Sequence, residues 1–333
     1  VFFDRSADRV NNASCCPRHK GWLKPRSKGS QGIAEMMNHE EMRQKIATGE
    51  GFIAALDQSG GSTPKALRGY GVADDAWEGE DEMFAKIHEM RCRIVESPAF
   101  TGDKVLGAIL FERTMEGCNR EGIAIPERLR GKGIVPFLKV DKGMHDTENG
   151  AQLMKPMPQL GEMCTRAREL GVFGTKMRSV IHDADEGGIA ANIAQQMDVG
   201  LEILSHGLTP ILEPEVSLKS ETRGGAEAMV LSHAIEQLER VPRGQQVMWK
   251  LTIPAQPNTY KALTEHPKVL RVVALSGGYS RSEACRELAK NTGMIASFSR
   301  ALLQELREEM DDQRFDAALE TAIEEIRCAS IAP

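Results

Sequence analysis

The sequence lacks several features that would direct it to particular partners or chemistries. No apolar run approaches the ~18 residues that a membrane-spanning helix needs, so no membrane association is expected. Positive charge is not in excess: the net charge is -6, which implies no general affinity for nucleic acid. The 7 cysteines are odd in number, and none is spaced as C-x-x-C; the one adjacent pair is Cys15 and Cys16. That argues for a reducing compartment and against a disulfide framework or a structural zinc site. "HEMRCR" and "SHGL" do not give metal-ligand spacing, and neither a G-x-S-x-G motif nor a Cys/His pairing is visible. No G-x-G-x-x-G follows the first strand-like run, which weakens a dinucleotide-binding reading. No metal and no cofactor are therefore expected.

The head of the chain differs from the rest. Residues 1–36 are rich in basic residues, include Cys15-Cys16-Pro17 and show little periodicity. They read as a disordered extension, a targeting segment or a translated upstream region. Met37 begins a plausible start of the folded part, and residues 37–333 are taken as one domain. The location implied is cytoplasmic, or organellar if the head is a transit peptide.

From Gly51 onward short apolar runs alternate with longer amphipathic segments. Strand candidates are 51–57, 105–111, 135–141, 173–179, 208–214, 247–253, 270–276 and 294–300. Helical spacing of apolar residues recurs between them, as in 161–170, 188–207, 224–241 and 280–293. About eight strand–helix units predict an α/β fold with a parallel sheet closed into a (β/α)8 TIM barrel. The stretch 142–160, with its Gly and Pro, reads as a loop-rich insertion.

"VMWKLTIP" (247–254) places a lysine in the middle of an apolar strand. Strand side chains alternate faces. Val247, Trp249, Leu251 and Ile253 then pack under the outer helices, while Met248, Lys250 and Thr252 point into the barrel. The same parity aligns Phe137, Lys139 and Asp141 on strand three, Lys176 and Arg178 on strand four, and Ile211, Glu213 and Glu215 on strand five. Asp57 closes strand one, Ser276 closes strand seven and Arg300 follows strand eight. Each alone has a bland reading as a snorkelling or surface charge. Their convergence on the carboxyl ends of the strands, where barrel active sites lie, favours function.

A buried lysine near a second cation, here Lys176, has a lowered pKa and becomes a nucleophile. It can form a Schiff base with a ketone, with Glu213 as general acid and Asp57 taking a proton from the departing alcohol. Ser276, Gly277 and Gly278 lead into a helix near Arg281 whose N-terminal amides favour an anion, and Arg300 adds a fork of donors. A second basic set, Lys139 and Arg178 with Ser59 and Ser62, lies across from it. Two phosphate sites flanking the lysine point to a bisphosphorylated ketose. A Schiff-base aldolase or transaldolase for a monophosphate, and a binding protein on the same fold, are the alternatives.

The motifs "ALDQSGGSTPKAL", "LKVDKG", "GTKMRSVI", "PILEPEV", "MWKLTIP", "ALSGGYS" and "SFSRALLQ", in that order, resemble class I fructose-1,6-bisphosphate aldolases of the shorter, microbial-type branch. The resemblance runs from about Met37 to Ala329. It implies a metal-independent lyase of glycolysis and gluconeogenesis that acts on a small phosphorylated sugar, and family members are often homo-oligomers. It also implies catalytic roles for Lys250, Glu213, Glu215, Asp57 and Lys176, with Lys139 and Arg178 matching motif positions. Ser276, Gly277, Gly278 and Arg300 match the C1-phosphate site, and Ser59 and Ser62 the C6 side. The chain departs from the animal branch at Gln58, where that branch carries Glu, and at "FERTM" in place of F-H-E-T. It also ends "CASIAP" rather than in tyrosine.

Overall fold

The computed structural model describes residues 36–332. The expected extension therefore lies outside the described residues, apart from Met36. The chain opens with helix α1 (His39–Thr48) and strand β1 (Phe52–Leu56). It continues through α2 (Ser62–Tyr70), α3 (Gly79–Glu96), β2 (Val105–Leu110), α4 (Glu112–Met115), α5 (Ile125–Gly131) and β3 (Val135–Lys139). A short β4 (Ala151–Gln152) precedes α6 (Leu160–Glu169), β5 (Gly174–Ile181), α7 (Glu186–Ser205), β6 (Thr209–Val216), α8 (Arg223–Leu238) and β7 (Val247–Thr252). The last part comprises α9 (Lys261–Thr264), β8 (Val269–Leu275), α10 (Arg281–Leu288), β9 (Met294–Ala296), α11 (Arg300–Leu303) and α12 (Asp312–Ser330).

Strands pair in parallel in the order β1-β2-β3-β5-β6-β7-β8-β9. The Ala55 amide of β1 donates to the Phe298 carbonyl just past β9 at 3.1 Å, so the two ends of the sheet meet. The result is the expected eight-stranded barrel. β4 lies off this path and pairs antiparallel with the end of β5, giving the 142–160 insertion a small ladder of its own. The eighth strand is shorter than its apolar run suggests: it stops at Ala296, and Arg300 opens a helical turn.

The alternation read from sequence separates two apolar clusters. Val247, Trp249 and Leu251 join Leu212 and Met177 in the layer beneath the helices. Met248, Ile211, Phe137, Ile53, Ala55 and Ile295 fill the barrel interior. Gly174 is required there, because a Cβ would collide with the Thr209 carbonyl and the Phe137 ring. Phe137 thus gains the room to pack edge-on against Phe173, with centroids 5.6 Å apart.

Helix α1 closes the floor. Asn38 and Glu41 form a reciprocal capping box that starts it. Its Met42 and Ile46 enter the interior cluster. At its other end the buried part of Arg271 donates to the carbonyls of Ala47 (2.7 Å) and Gly49 (3.3 Å), groups a helix terminus leaves without partners. With the amino-terminal end sealed, the open end is the carboxyl rim. Among the described residues no helix is long and apolar enough to cross a membrane.

Candidate active site

The rim holds a cavity of about 1340 Å³. Every residue singled out from the sequence lines it: Asp57, Ser59, Ser62, Lys139, Lys176, Arg178, Glu213, Glu215, Lys250, Ser276, Gly277, Gly278 and Arg300. The strands deliver them by register. Lys139 lies beside Lys176, and Arg178 beside Glu213. Ile211 pairs with Met248, which brings Glu213 and Lys250, two residues further on, to the same level.

Two lysines at adjacent positions repel unless each is neutralised. Lys139 Nζ pairs with Asp141 Oδ1 at 2.7 Å. Lys176 Nζ is held by Asp57 Oδ2 at 2.7 Å and Glu213 Oε2 at 2.8 Å. The other oxygen of Glu213 pairs with Lys250 Nζ at 3.1 Å. Lys250 is 4 % exposed, Lys176 3 % and Glu213 3 %. Burial alone would raise the Asp57 carboxyl, but the Lys176 and Lys250 ammoniums outweigh it and hold Asp57 well below the usual carboxylate range. The same opposition, burial against Lys176 and Lys250, leaves Glu213 lowered. Burial pulls Lys176 down, yet Asp57 and Glu213 outweigh it and hold Lys176 above the usual lysine range. The second cation expected beside Lys250 is thus present, but with the Glu213 carboxylate between them.

On one flank, Arg178 Nε pairs with Glu215 Oε2 at 2.5 Å, and its amide donates to Asp141 Oδ2 at 3.2 Å. The Ser62 hydroxyl donates to the Ser59 carbonyl at 2.8 Å and accepts from the Ser59 amide at 2.9 Å. It shapes the turn into α2, so its proton is already engaged. On the opposite flank, Gly277 (φ 58°) and Gly278 (φ 132°) take conformations that L side chains rarely adopt. Arg300 overhangs the loop: a Cβ on Gly278 would lie 3.5 Å from its Nη2.

One expectation needs correcting here. Three amides at the start of α10, which were expected to favour an anion, are already engaged. Ser280 N donates to Glu283 Oε2 (3.1 Å), Arg281 N to Gln304 Oε1 (3.1 Å) and Glu283 N to Ser280 Oγ (3.3 Å). Ser280 and Glu283 form a capping box that "SRSE" spells out, and Gln304 from beyond the helix takes the Arg281 amide. The anion-binding character of this flank rests on the glycine loop and Arg300.

Several lining residues were missed. Ser297 follows from the alternation that places Ile295 inward, so its signal was present; Asp141, aligned with Lys139 by the same parity, is in the lining too. The Ser297 hydroxyl is buried without a hydrogen-bond partner. Phe84, Phe111 and Arg113 form a stacked edge to the cavity, with Phe rings 5.3 Å apart and the guanidinium 4.5 Å above Phe84. Phe84 and Arg113 come from α3 and α4, whose position no strand pattern reveals, while Phe111 lies just past the end of β2 on the parity of Ile109. Among the described residues, no group of three or more His, Cys, Asp and Glu side chains could hold a metal ion.

A family model for fructose-bisphosphate aldolase class-I, of glycolytic type, matches residues 38–253. The chain belongs to this family. A class 1 fructose-bisphosphate aldolase of Porphyromonas gingivalis is 52 % identical over 296 residues, which are 89 % of this chain and the whole of the relative. Among solved structures, a fructose-bisphosphate aldolase from Plasmodium falciparum, crystallised with TRAP and a small-molecule inhibitor, superposes with a TM-score of 0.72. It is 22 % identical and covers 88 % of this chain and 95 % of its own. At that identity the likeness speaks for the barrel fold of this aldolase, and the closer relative speaks for its class.

Proposed function

We propose that this aldolase cleaves fructose 1,6-bisphosphate reversibly to dihydroxyacetone phosphate and glyceraldehyde 3-phosphate, through a Schiff base on Lys250. The observation that carries the assignment is the Glu213 carboxylate set between Lys250 and Lys176 on the buried floor of the cavity. A resting ammonium cannot attack a ketone. Glu213, 3.1 Å from Lys250 Nζ, takes its proton as the substrate carbonyl arrives. The free amine then adds to C2. Glu213 returns the proton to the carbinolamine hydroxyl, which leaves as water and gives the iminium ion.

The iminium draws the electrons of the C3–C4 bond. Asp57, held ionised, accepts the C4 hydroxyl proton as that bond breaks and the aldehyde departs. Lys176 remains charged between Asp57 and Glu213 and stabilises both carboxylates through the proton transfers. Glu215 orients Arg178. The loop of Ser276, Gly277 and Gly278 with Arg300 takes the C1 phosphate. Lys139 and Arg178, beside Ser59 and Ser62, take the C6 phosphate, exchanging part of their pairing with Asp141 and Glu215 for the phosphate oxygens.

Borohydride reduction in the presence of dihydroxyacetone phosphate, followed by peptide mapping, tests this directly. Label is expected on the peptide containing 247–254. Label elsewhere would sink the assignment.

A further inference from the structure

Asp57 ends the inward face of β1, after Ile53 and Ala55. Gln58 follows and turns to α3, where it meets a guanidinium. Arg91 is 1 % exposed. Its Nη2 donates to the Gln58 carbonyl at 2.5 Å and to Gln58 Oε1 at 3.2 Å, and its Nη1 donates to Thr114 Oγ1 at 2.7 Å. All three acceptors are neutral. A cation buried against neutral acceptors is costly to keep, so its retention asks for a reason. Burial draws this guanidinium down to about 10, with the charge of Asp57 the foremost opposing influence.

The Gln58 amide nitrogen donates onward to the Ala55 carbonyl at 3.1 Å and to Ser299 Oγ at 2.7 Å. Ser299 immediately precedes Arg300. Position 58 therefore needs an acceptor toward Arg91 and two donors toward Ala55 and Ser299, a combination that an amide has and a carboxylate lacks. The chain of contacts touches the segments that carry Asp57, Ser59 and Arg300 at once.

We propose that Arg91 and Gln58 are positioning residues, a strut that fixes the exit of β1 to the Ser299–Arg300 turn and so holds Arg300 over the glycine loop. This rests on the reading that Arg300 and residues 276–278 take the C1 phosphate. Losing the strut weakens the grip on that phosphate while the lysine and its carboxylates stay in place.

The test is run in the condensation direction, where the C1 phosphate belongs to dihydroxyacetone phosphate alone. In Gln58→Ala and Gln58→Glu the KM for dihydroxyacetone phosphate rises about five- to tenfold, the scale of one net hydrogen bond. The KM for glyceraldehyde 3-phosphate and kcat stay within about twofold. Gln58→Ala combined with Ser299→Ala is no worse than Gln58→Ala, since the contact is already gone. Arg91→Lys, which keeps the charge but loses the fork, gives the same one-sided rise. A similar rise in both KM values marks general loosening and overturns the proposal, as does an unchanged KM for dihydroxyacetone phosphate. Arg300→Ala separates the two readings. If it leaves that KM unchanged, the phosphate assignment falls and the strut with it. If it raises the KM while the Gln58 variants do not, the strut alone falls.

Discussion

Replacing Glu213 by glutamine removes one negative charge from a buried set of four. Lys176 and Lys250 supply two cations, and Asp57 and Glu213 supply two carboxylates, with contacts of 2.7 to 3.1 Å. In Glu213→Gln, two cations face Asp57 alone. Breaking a buried ion pair by removing one partner costs about 3–5 kcal/mol. The expected destabilisation at pH 7 is therefore about 3–5 kcal/mol, measured by urea unfolding.

Catalysis suffers separately: loss of the group that ferries the proton lowers kcat by about 10²–10⁴-fold. A variant that unfolds like the parent at pH 7, or keeps kcat within about threefold, would refute the reasoning about this cluster.

Lys250→Ala should abolish both cleavage and borohydride labelling, even where circular dichroism shows a native fold. Asp57 and Glu213 both have lowered pKa values. Their stabilising contribution is complete above the ordinary carboxylate range, near pH 4, and is lost as pH falls through the lower folded values. Asp57→Asn should flatten that acid limb of the unfolding curve; an unchanged limb would show that the pair does not govern it. Ile46→Ala, in the floor helix far from the rim, should cost about 2–4 kcal/mol by cavity formation with kcat unchanged. A fall in kcat at full folding would argue that the floor is coupled to the site. Incubation with a strong chelator should leave the cleavage rate unaltered, and a rate restored by added divalent ions would contradict a class I mechanism.

Period-two alternation was enough to place Lys250, Lys176, Glu213 and Lys139 inside the barrel, because a strand buried on both faces gives its side chains just two directions. The same rule aligns Asp141 with Lys139 and, continued past Ile295, reaches Ser297 as well. Arg91 was beyond it. On α3 it reads as one charge in an amphipathic helix, and its meaning depends on Gln58, 33 positions away. The capping of α10 was half legible: "SRSE" announces its Ser–Glu box, but Gln304, which takes the Arg281 amide, comes from the stretch after α11.

Sequence by itself thus determined the barrel, the rim that carries the chemistry and the residue types gathered there, since these follow from local periodicity and from which charges an apolar strand can carry. Tertiary structure decided the pairings. Whether Lys250 faces a cation or a carboxylate depends on the register between β6 and β7 and on contacts of 3.1 Å and 2.8 Å. Coulombic interaction at that range changes with each ångström of separation, and no one-dimensional pattern holds such distances.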